Sequence, residues 1–340
     1  MNNIEVLKKD FYSRFGVSKN KLYNQKCGMV YTLLGFYDVY GARSLNCVMP
    51  PYVYAIGRKL DGNKLEIENA SSINEMLLNI KDYTTYTSQN GAQILFDTTD
   101  NCDCFNYSLP LKVCATKLLM KINNISSFDY KTVANQICSE KDVSECITLF
   151  NEKKGYCTDI NGEDYTLSPF PLIGYKVIVA YADELKCDLD YDVVKKATEY
   201  VKINLPDITH LYKISVGDFN RISNNINDKN VFDFLKFVVD ENERIDNVVA
   251  ALNKCDINPL FDAMKKSSMQ MFGILKNTAY KECVYNSLLK LSYVRAFRFV
   301  DNKILVFVDD ANVDFTINEV RNIFNSEYSI NLKFVVSGNF

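Results

Sequence analysis

Apolar residues recur at helical spacing between Val231 and Phe272, and this stretch organises the rest of the chain. In its first half one face carries Phe234, Leu235, Val238, Ile245, Val248, Val249 and Leu252. The charged positions lie opposite: Asp240, Glu241, Glu243, Arg244 and Asp246. After a break at residues 254–256, Asn258 as a cap and Pro259 in the first turn begin a second helix. The pattern predicts a helical hairpin that packs on a sheet.

Shorter patterns predict further helices and strands along the whole chain. A helix from Lys8 to Phe15 ends at Gly16 in a left-handed conformation. Residues 46–67 predict two strands joined as a hairpin by Asp61-Gly62. The remaining predicted elements are a strand and glycine turn over 27–41, a helix over 111–120 capped by Ser108, a strand over 175–183 and a hairpin over 294–308. This mixture predicts an α+β fold.

Composition and charge narrow the functional classes. The chain has 340 residues, of which 47% are hydrophobic, so it has enough apolar surface to form a large core. Its formal net charge of −3 argues against a protein that binds nucleic acid by neutralising many phosphates. Its apolar runs are too short to span a bilayer, and its first residues do not resemble a secretory signal. Eleven cysteines and one histidine without a CxxC pair predict reduced thiols, a cytoplasmic location and no metal site.

The order of residues in the helical hairpin resembles the C-terminal half of the galactokinases, which belong to the GHMP superfamily of small-molecule kinases. The similar positions are Asp240-Glu241-Asn242-Glu243-Arg244, Ala251-Leu252, Asp256, Leu260-Phe261, Met264 and Ser267-Ser268. The resemblance extends in order over essentially the whole chain. It implies a two-lobed fold: an N-terminal lobe over 1–165 of mixed sheet with helices, a C-terminal ferredoxin-like α/β lobe over 166–340, and a cleft between them.

The first galactokinase signature contacts the sugar and the transferring phosphoryl group, and this chain retains only its frame. The matching positions are Gly28, Val30, Leu33-Leu34, Gly35 and Tyr40. The family Arg, Asn, Glu and His are replaced by Met29, Tyr31, Phe36 and Tyr37. Val39 stands at the family Asp, and Asp38 takes that position if the register shifts by one residue.

The two other signatures are glycine-rich in galactokinases and are also altered. The ATP-phosphate loop corresponds to residues 98–110, which contain no glycine and two added carboxylates, Asp100 and Asp103. Non-glycine residues tolerate positive φ poorly, and carboxylates repel a triphosphate. The third signature corresponds to the hairpin at Asp301-Asn302.

The resemblance also selects the candidate site residues. Either Ser144 or Glu145 falls at the family catalytic Asp, and Glu145 is the candidate base. Asp38, Tyr40 and Tyr191 are the candidate sugar-binding residues. Ser108, at the start of the helix after the phosphate loop, is the candidate nucleotide contact.

These losses predict a galactokinase-like protein that is catalytically inactive, a binding or regulatory relative of the ATP-dependent sugar kinases that needs no cofactor. The alternative is an active galactokinase or sugar 1-kinase that uses ATP and Mg²⁺ through a rebuilt site, with Glu145 as base and Asp38 as sugar contact. A third interpretation is a binding module whose aromatic residues stack on a sugar. The expected partners are a sugar or another small molecule, or a protein, and neither nucleic acid nor a membrane.

Overall fold

A computed structural model describes residues 3–36, 42–62, 64–69, 91–98, 106–125, 129–139, 142–162, 164–185, 189–275, 279–300 and 302–337. The chain divides into two compact units. The first comprises Met1–Val30 and Val48–Glu152, and the second Tyr31–Cys47 and Lys153–Phe340. Two long strands, β1 (Leu22–Gly35) and β2 (Arg43–Leu60), contribute residues to both units.

The first unit combines helices with part of a mixed sheet. Besides residues of β1 and β2, its elements are α1 (Asn3–Phe15), β3 (Leu65–Asn69), β4 (Gly91–Thr98), α2 (Ser108–Ile122), α3 (Tyr130–Ile137) and α4 (Val143–Phe150). As predicted, α1 ends at Gly16, whose φ is +72°. Arg58 on β2 donates to the carbonyl oxygens of Phe15 at 2.6 Å and Gly16 at 2.8 Å, so a cation satisfies the carboxyl end of this helix.

The predicted hairpin between β2 and β3 is wrong. The strand β4 lies between them, antiparallel to β2 and parallel to β3. Most residues of β4 are buried, which suits a central strand flanked on both edges. The Asp61-Gly62 turn reverses the chain as expected, but β3 pairs with the later, more apolar strand and not with its sequence neighbour.

The second unit contains the helical hairpin and a four-stranded sheet. Its further elements are β5 (Tyr156–Asn161), β6 (Asp164–Pro169), β7 (Tyr175–Tyr181), α5 (Tyr191–Asn204), α6 (Val216–Ser223), α7 (Lys229–Leu252), α8 (Asn258–Met271), α9 (Ala279–Leu289), β8 (Val294–Val300), β9 (Lys303–Asp309), α10 (Val313–Tyr328) and β10 (Lys333–Val336). Short 3₁₀ turns occupy Asp183–Leu185, Leu211–Lys213 and Asp310–Asn312.

The sheet of the second unit confirms the ferredoxin-like prediction. Its strands pair antiparallel in the order β10–β7–β9–β8. Numbered along the unit, this is the 4-1-3-2 order of the split βαβ arrangement, with α10 between its third and fourth strands. The predicted helical hairpin is also confirmed, because α8 follows α7 and packs on β8. The fold is therefore α+β, as expected.

Two apolar clusters form the interior of the second unit. One joins the sheet to α9 and α10 through residues such as Phe297, Val306 and Phe324. The other lies among α5, α6 and α7 and includes Phe36 from the end of β1. Among the described residues, none of the helices has the length and apolar character that crossing a bilayer requires.

Glu152, two residues after the end of α4, places a half-buried carboxyl in the first unit. Burial raises its pKa above the ordinary 4.5, although Lys117, Lys26 and the backbone N–H of Gly28 act in the opposite direction. Both lysines have other partners as well, since Lys117 Nζ donates to the Leu149 carbonyl at 2.6 Å and Lys26 Nζ lies 3.3 Å from the Tyr52 ring centroid. The folded state thus favours the protonated carboxyl.

We predict that Glu152→Gln raises the melting temperature at pH 7 and not at pH 4. A raised folded-state pKa contributes stability that is complete below pH 4.5 and is lost as the pH rises through the folded pKa. Glutamine keeps the neutral state at every pH, so the two melting curves should converge only in acid. Scanning calorimetry across this range tests the prediction, with Glu5→Gln on the exposed surface of α1 as control. An increase in melting temperature of Glu152→Gln that is equal at pH 4 and pH 7 would contradict the prediction.

Candidate functional site at the end of strand β1

Gly35 ends β1 directly before the segment that the first signature predicts to contact a sugar. Its φ is +77°, a conformation that side chains rarely adopt. A Cβ atom at this position would lie 1.9 Å from the carbonyl oxygen of Arg43. Phe36 N donates to the same oxygen at 3.2 Å, which closes the ends of β1 and β2 against each other. A glycine is therefore required here by both conformation and space.

A buried ion pair holds the two peptide groups of Gly35. Glu241 on α7 accepts a hydrogen bond from Gly35 N at 2.6 Å, and Arg298 on β8 donates to Gly35 O at 2.7 Å. The two charged groups also meet each other, at 3.3 Å between Arg298 Nη1 and Glu241 Oε1. Ser267 on α8 donates to Glu241 at 2.6 Å and accepts from Arg298 at 2.6 Å. We call Gly35, Glu241, Ser267 and Arg298 the Gly35 cluster.

Glu241 is the residue whose position the sequence analysis misjudged. It was expected on the charged side of α7, but only 2% of it is exposed. The spacing of the buried residues explains why Glu241 is buried. On α7 they include positions 234, 238, 241, 245, 248 and 252, whose separations alternate between four and three residues, as expected for one face of a helix. Glu241 belongs to this stripe by position and to the charged set only by residue type. The sequence signal for this buried group was a glutamate at a position where the apolar repeat of α7 predicts a core residue.

Arg298 is a second residue of the site to which the sequence patterns assigned no role. Arg295 is on the surface and pairs with Asp309 at 2.8 Å, whereas Arg298 is 1% exposed between Phe297 and Phe299. Burial lowers the pKa of Arg298, and the charge of Glu241 works against that shift. Its Nε has no hydrogen-bond partner among the described residues. The sequence signal for this buried group was an arginine within the otherwise largely apolar strand β8.

Polar groups on α7 and α8 surround the carboxylate of Glu241. Arg244 donates to Glu241 and to Gln270, and Gln270 in turn donates to Asp240 at 2.9 Å. Two acidic and two basic side chains are thereby balanced around one buried site. Apolar packing adds to this, because the Phe36 ring is stacked on Phe234 with centroids 6.0 Å apart and packs at a tilt on Phe237 with centroids 5.0 Å apart.

Arg43 holds the beginning of β2. It donates to Asp159 on β5 at 2.9 and 2.7 Å in a two-pronged contact and to Asp246 on α7 at 2.6 Å. Burial disfavours the charged form, but the bonds to Asp159 and Asp246 raise the pKa of Arg43 overall. Gly35, before residues 37–41, and Arg43, after them, are thus both bonded to side chains of α7.

The predicted site residues are distributed over both units. Asp38 and Tyr40 lie outside the described residues. Tyr191 is the first residue of α5 in the second unit and is 59% exposed. Glu145 lies half-buried in the first turn of α4, and Ser108 is the first residue of α2, which packs against α4. The roles assigned to these five residues stay predictions.

The start of α2 differs from the expectation that Ser108 caps it. Tyr107 takes the cap position without a side-chain bond, and Ser108 lies inside the helix. The Ser108 N–H donates to Asn106 Oδ1 at 3.0 Å, and Pro110 has no N–H. Of the first three helical residues, only Leu109 is left with an amide for another acceptor. No group of three or more metal-binding side chains occurs in the described part of the chain.

Comparison with known structures defines the fold. The chain matches the galactokinase of Lactococcus lactis, solved in complex with galactose, with a TM-score of 0.76, 12% identity and coverage of 99% of this chain and 98% of that one. It matches the mevalonate kinase of Methanococcus jannaschii with a TM-score of 0.58, 11% identity and coverage of 95% and 100%. It matches the mevalonate diphosphate decarboxylase of Staphylococcus aureus with a TM-score of 0.54, 10% identity and coverage of 93% of this chain and 95% of that one.

At the sequence level, no known protein family matches the chain. No curated protein matches it either. The structural likenesses nevertheless confirm the expectation drawn from the residues: this chain has the fold of the GHMP kinases, and among the structures compared above the galactokinase resembles it more than the mevalonate enzymes do.

We predict that Glu241→Ala lowers the free energy of unfolding by about 3–5 kcal/mol, because it leaves the Arg298 charge buried without its partner. Glu243→Ala is the matched control, since Glu243 is exposed on the same helix and should change stability by less than about 0.5 kcal/mol. Urea unfolding of both variants measures the difference. Equal effects would mean that the Gly35 cluster does not stabilise the fold.

Proposed function

We propose that this protein keeps a galactokinase-like scaffold as a binding or regulatory protein and does not transfer phosphate from ATP. Its location in this proposal is the cytoplasm, where the free thiols found at seven described cysteines are stable. The fold itself carries no activity, so the proposal rests on the residues at the signature positions.

The start of α2 is the observation that carries the proposal. A helix that receives phosphate does so with unpaired N–H groups at its first turn, often after glycines that bring the backbone close. Here Asn106 occupies one of these amides and Pro110 removes another. The segment between β4 and α2 contains no glycine and carries Asp100 and Asp103. One remaining amide, preceded in the sequence by a glycine-free segment with two added carboxylates, makes a poor phosphate site.

The positions of the first signature support the same conclusion. Met29, which replaces the family Arg, is buried in β1 with 8% exposure. Phe36, which replaces the family Glu, packs on Phe234 and Phe237. Both side chains serve the interior of their own units and add no charge near a reacting hydroxyl. A missing electrostatic contact to the transition state costs about 10²–10³ in rate, and a missing base on the order of 10²–10⁴.

The polar contacts around the altered signature positions form a complete network, which favours a folded protein with a binding role over one that has lost all function. Gly35 is held on both peptide groups, and Arg43 pairs with two aspartates. A small-molecule ligand such as a sugar fits the neighbour solved with galactose. ATP and Mg²⁺ have no part in this function.

We predict that Mg-ATP leaves the melting temperature unchanged. A ligand present at 100 times its Kd would stabilise the protein by about 2.7 kcal/mol, which is readily measured. Galactose and a panel of other sugars are tested in the same assay. A shift with a sugar and not with nucleotide supports a small-molecule binder, and no shift with either favours a protein partner.

The outcome that contradicts the proposal is equally definite. Formation of galactose 1-phosphate from ATP, at a rate abolished by Glu145→Ala and retained by Glu5→Ala, would show an active kinase. Glu5 is the control because it is an exposed acid in the first turn of α1, as Glu145 is an acid in the first turn of α4.

A further inference from the structure

A groove of about 670 Å³ lies in the second unit, between the end of α5, the loop that follows it and one side of α6. Its floor is apolar. Leu205 and Ile222 belong to the cluster among α5, α6 and α7, and Ile208 packs against that cluster. Small-molecule sites have volumes of about 300–1,000 Å³, so the groove has room for a compact ligand.

Hydrogen bonds hold the walls of this groove in place. The hydroxyl of Tyr200 on α5 donates to the carbonyl oxygen of Ile222 on α6 at 3.1 Å, which joins the two helices. Asn242 on α7 donates to two carbonyl oxygens of the 3₁₀ turn Leu211–Lys213, each at 3.3 Å. A ligand therefore meets walls that are already formed, which lowers the entropic cost of binding.

Two charged side chains that line the groove, Lys213 and Asp207, form no ion pair within the described part of the chain. Lys213 Nζ lies 3.4 Å from Thr209 Oγ1, and an ammonium group has three donors, so donors remain for another acceptor. The groove's other two charges neutralise each other, because Arg221 donates to Asp218 at 3.0 Å. The groove thus offers one cation and one anion to a ligand.

Helix ends reinforce the negative side of the groove. The helix α5 ends at Asn204 and α6 ends at Ser223, and the lining residues Asn204 and Asn225 lie at or just beyond these ends. The carboxyl end of a helix carries a partial negative charge and carbonyl oxygens without intrahelical partners. Asp207 and these helix ends together suit an ammonium group, whereas Lys213 suits a carboxylate.

We propose that this groove binds a small zwitterion with an aliphatic side chain, either a free α-amino acid or a dipeptide. The carboxylate of the ligand accepts from Lys213 Nζ, its ammonium group donates to Asp207, and its side chain packs on Leu205 and Ile222. A phosphate ester fits less well, because Asp207 and the helix carboxyl ends oppose a second negative charge. This inference rests on the groove alone and is independent of the proposed function.

Calorimetric titration of the full chain tests the charge requirement. The probes are leucine and leucylleucine, which carry both charges, N-acetylleucine, which lacks the ammonium group, and leucinamide, which lacks the carboxylate. We expect at least one of the two zwitterions to bind. Each blocked probe should bind about tenfold more weakly than leucine, or not at all, because it lacks one charge-assisted hydrogen bond. Tighter binding of leucylleucine than of leucine would identify a dipeptide as the ligand, and the reverse a free amino acid.

Variants of the two charged residues test their roles. Lys213→Gln and Asp207→Asn should each weaken binding of the zwitterion about tenfold, whereas Lys213→Arg keeps the charge and should retain most of the affinity. The matched controls are Lys195→Gln and Glu199→Gln, which alter exposed charges of α5 outside the groove and should leave binding unchanged. All of these side chains are exposed, so the variants should fold, and their melting temperatures verify this.

Three results would overturn the proposal. The first is the absence of both heat and a shift in melting temperature with either zwitterion at millimolar concentration. The second is binding of N-acetylleucine or leucinamide as tightly as leucine, or equal losses in the control variants. The third is binding of inorganic phosphate that depends on Lys213 and not on Asp207, which would identify an anion site.

Discussion

The ion pair between Glu241 and Arg298 is the interaction on which the second unit depends. Removing each charge from water costs several kcal/mol, and the mutual attraction offsets this only if every remaining polar atom finds a partner. Gly35, Ser267 and Arg244 supply most of these partners. The pair therefore requires β1, α7, α8 and β8 to be in place together. The arrangement that the pair holds is the end of β1 on the helical hairpin.

The same constraint explains which features are retained and which are lost. A glycine with positive φ whose N–H and C=O are both bound by charged side chains tolerates few changes, and Gly35 is kept. The residues that the resemblance predicts to face a sugar or a phosphate make no such backbone contacts. Met29 and Phe36 lie in the apolar interior, and two of the first three helical positions of α2 have an amide that is occupied or absent. The scaffold and the chemistry are thus carried by different residues, which is why a GHMP-kinase fold does not by itself imply a kinase.

The first unit shows that buried titratable groups accompany the altered site. Glu152, Cys27, Cys114 and Cys146 all have pKa values raised, in each case with burial among the causes. In these four groups the folded state therefore favours the neutral form.

Local patterns in the sequence determined the helical hairpin of α7 and α8 and the end of α1 at Gly16, because these depend on periodicity, caps and turns between neighbouring residues. The ferredoxin-like order of the second unit was expected only from the resemblance to the galactokinases, because it pairs strands that are distant in sequence. The absence of glycine from residues 98–110 was equally visible. The insertion of β4 beside β3 and the burial of Glu241 and Arg298 were decided only by the tertiary structure. Each of these depends on a partner distant in sequence: β4 for β3, Gly35 for Glu241 and Arg298. The start of α2 is a separate case, because Asn106 and Ser108 are two residues apart and the backbone geometry, which residue type does not specify, decides which of them bonds a helical amide.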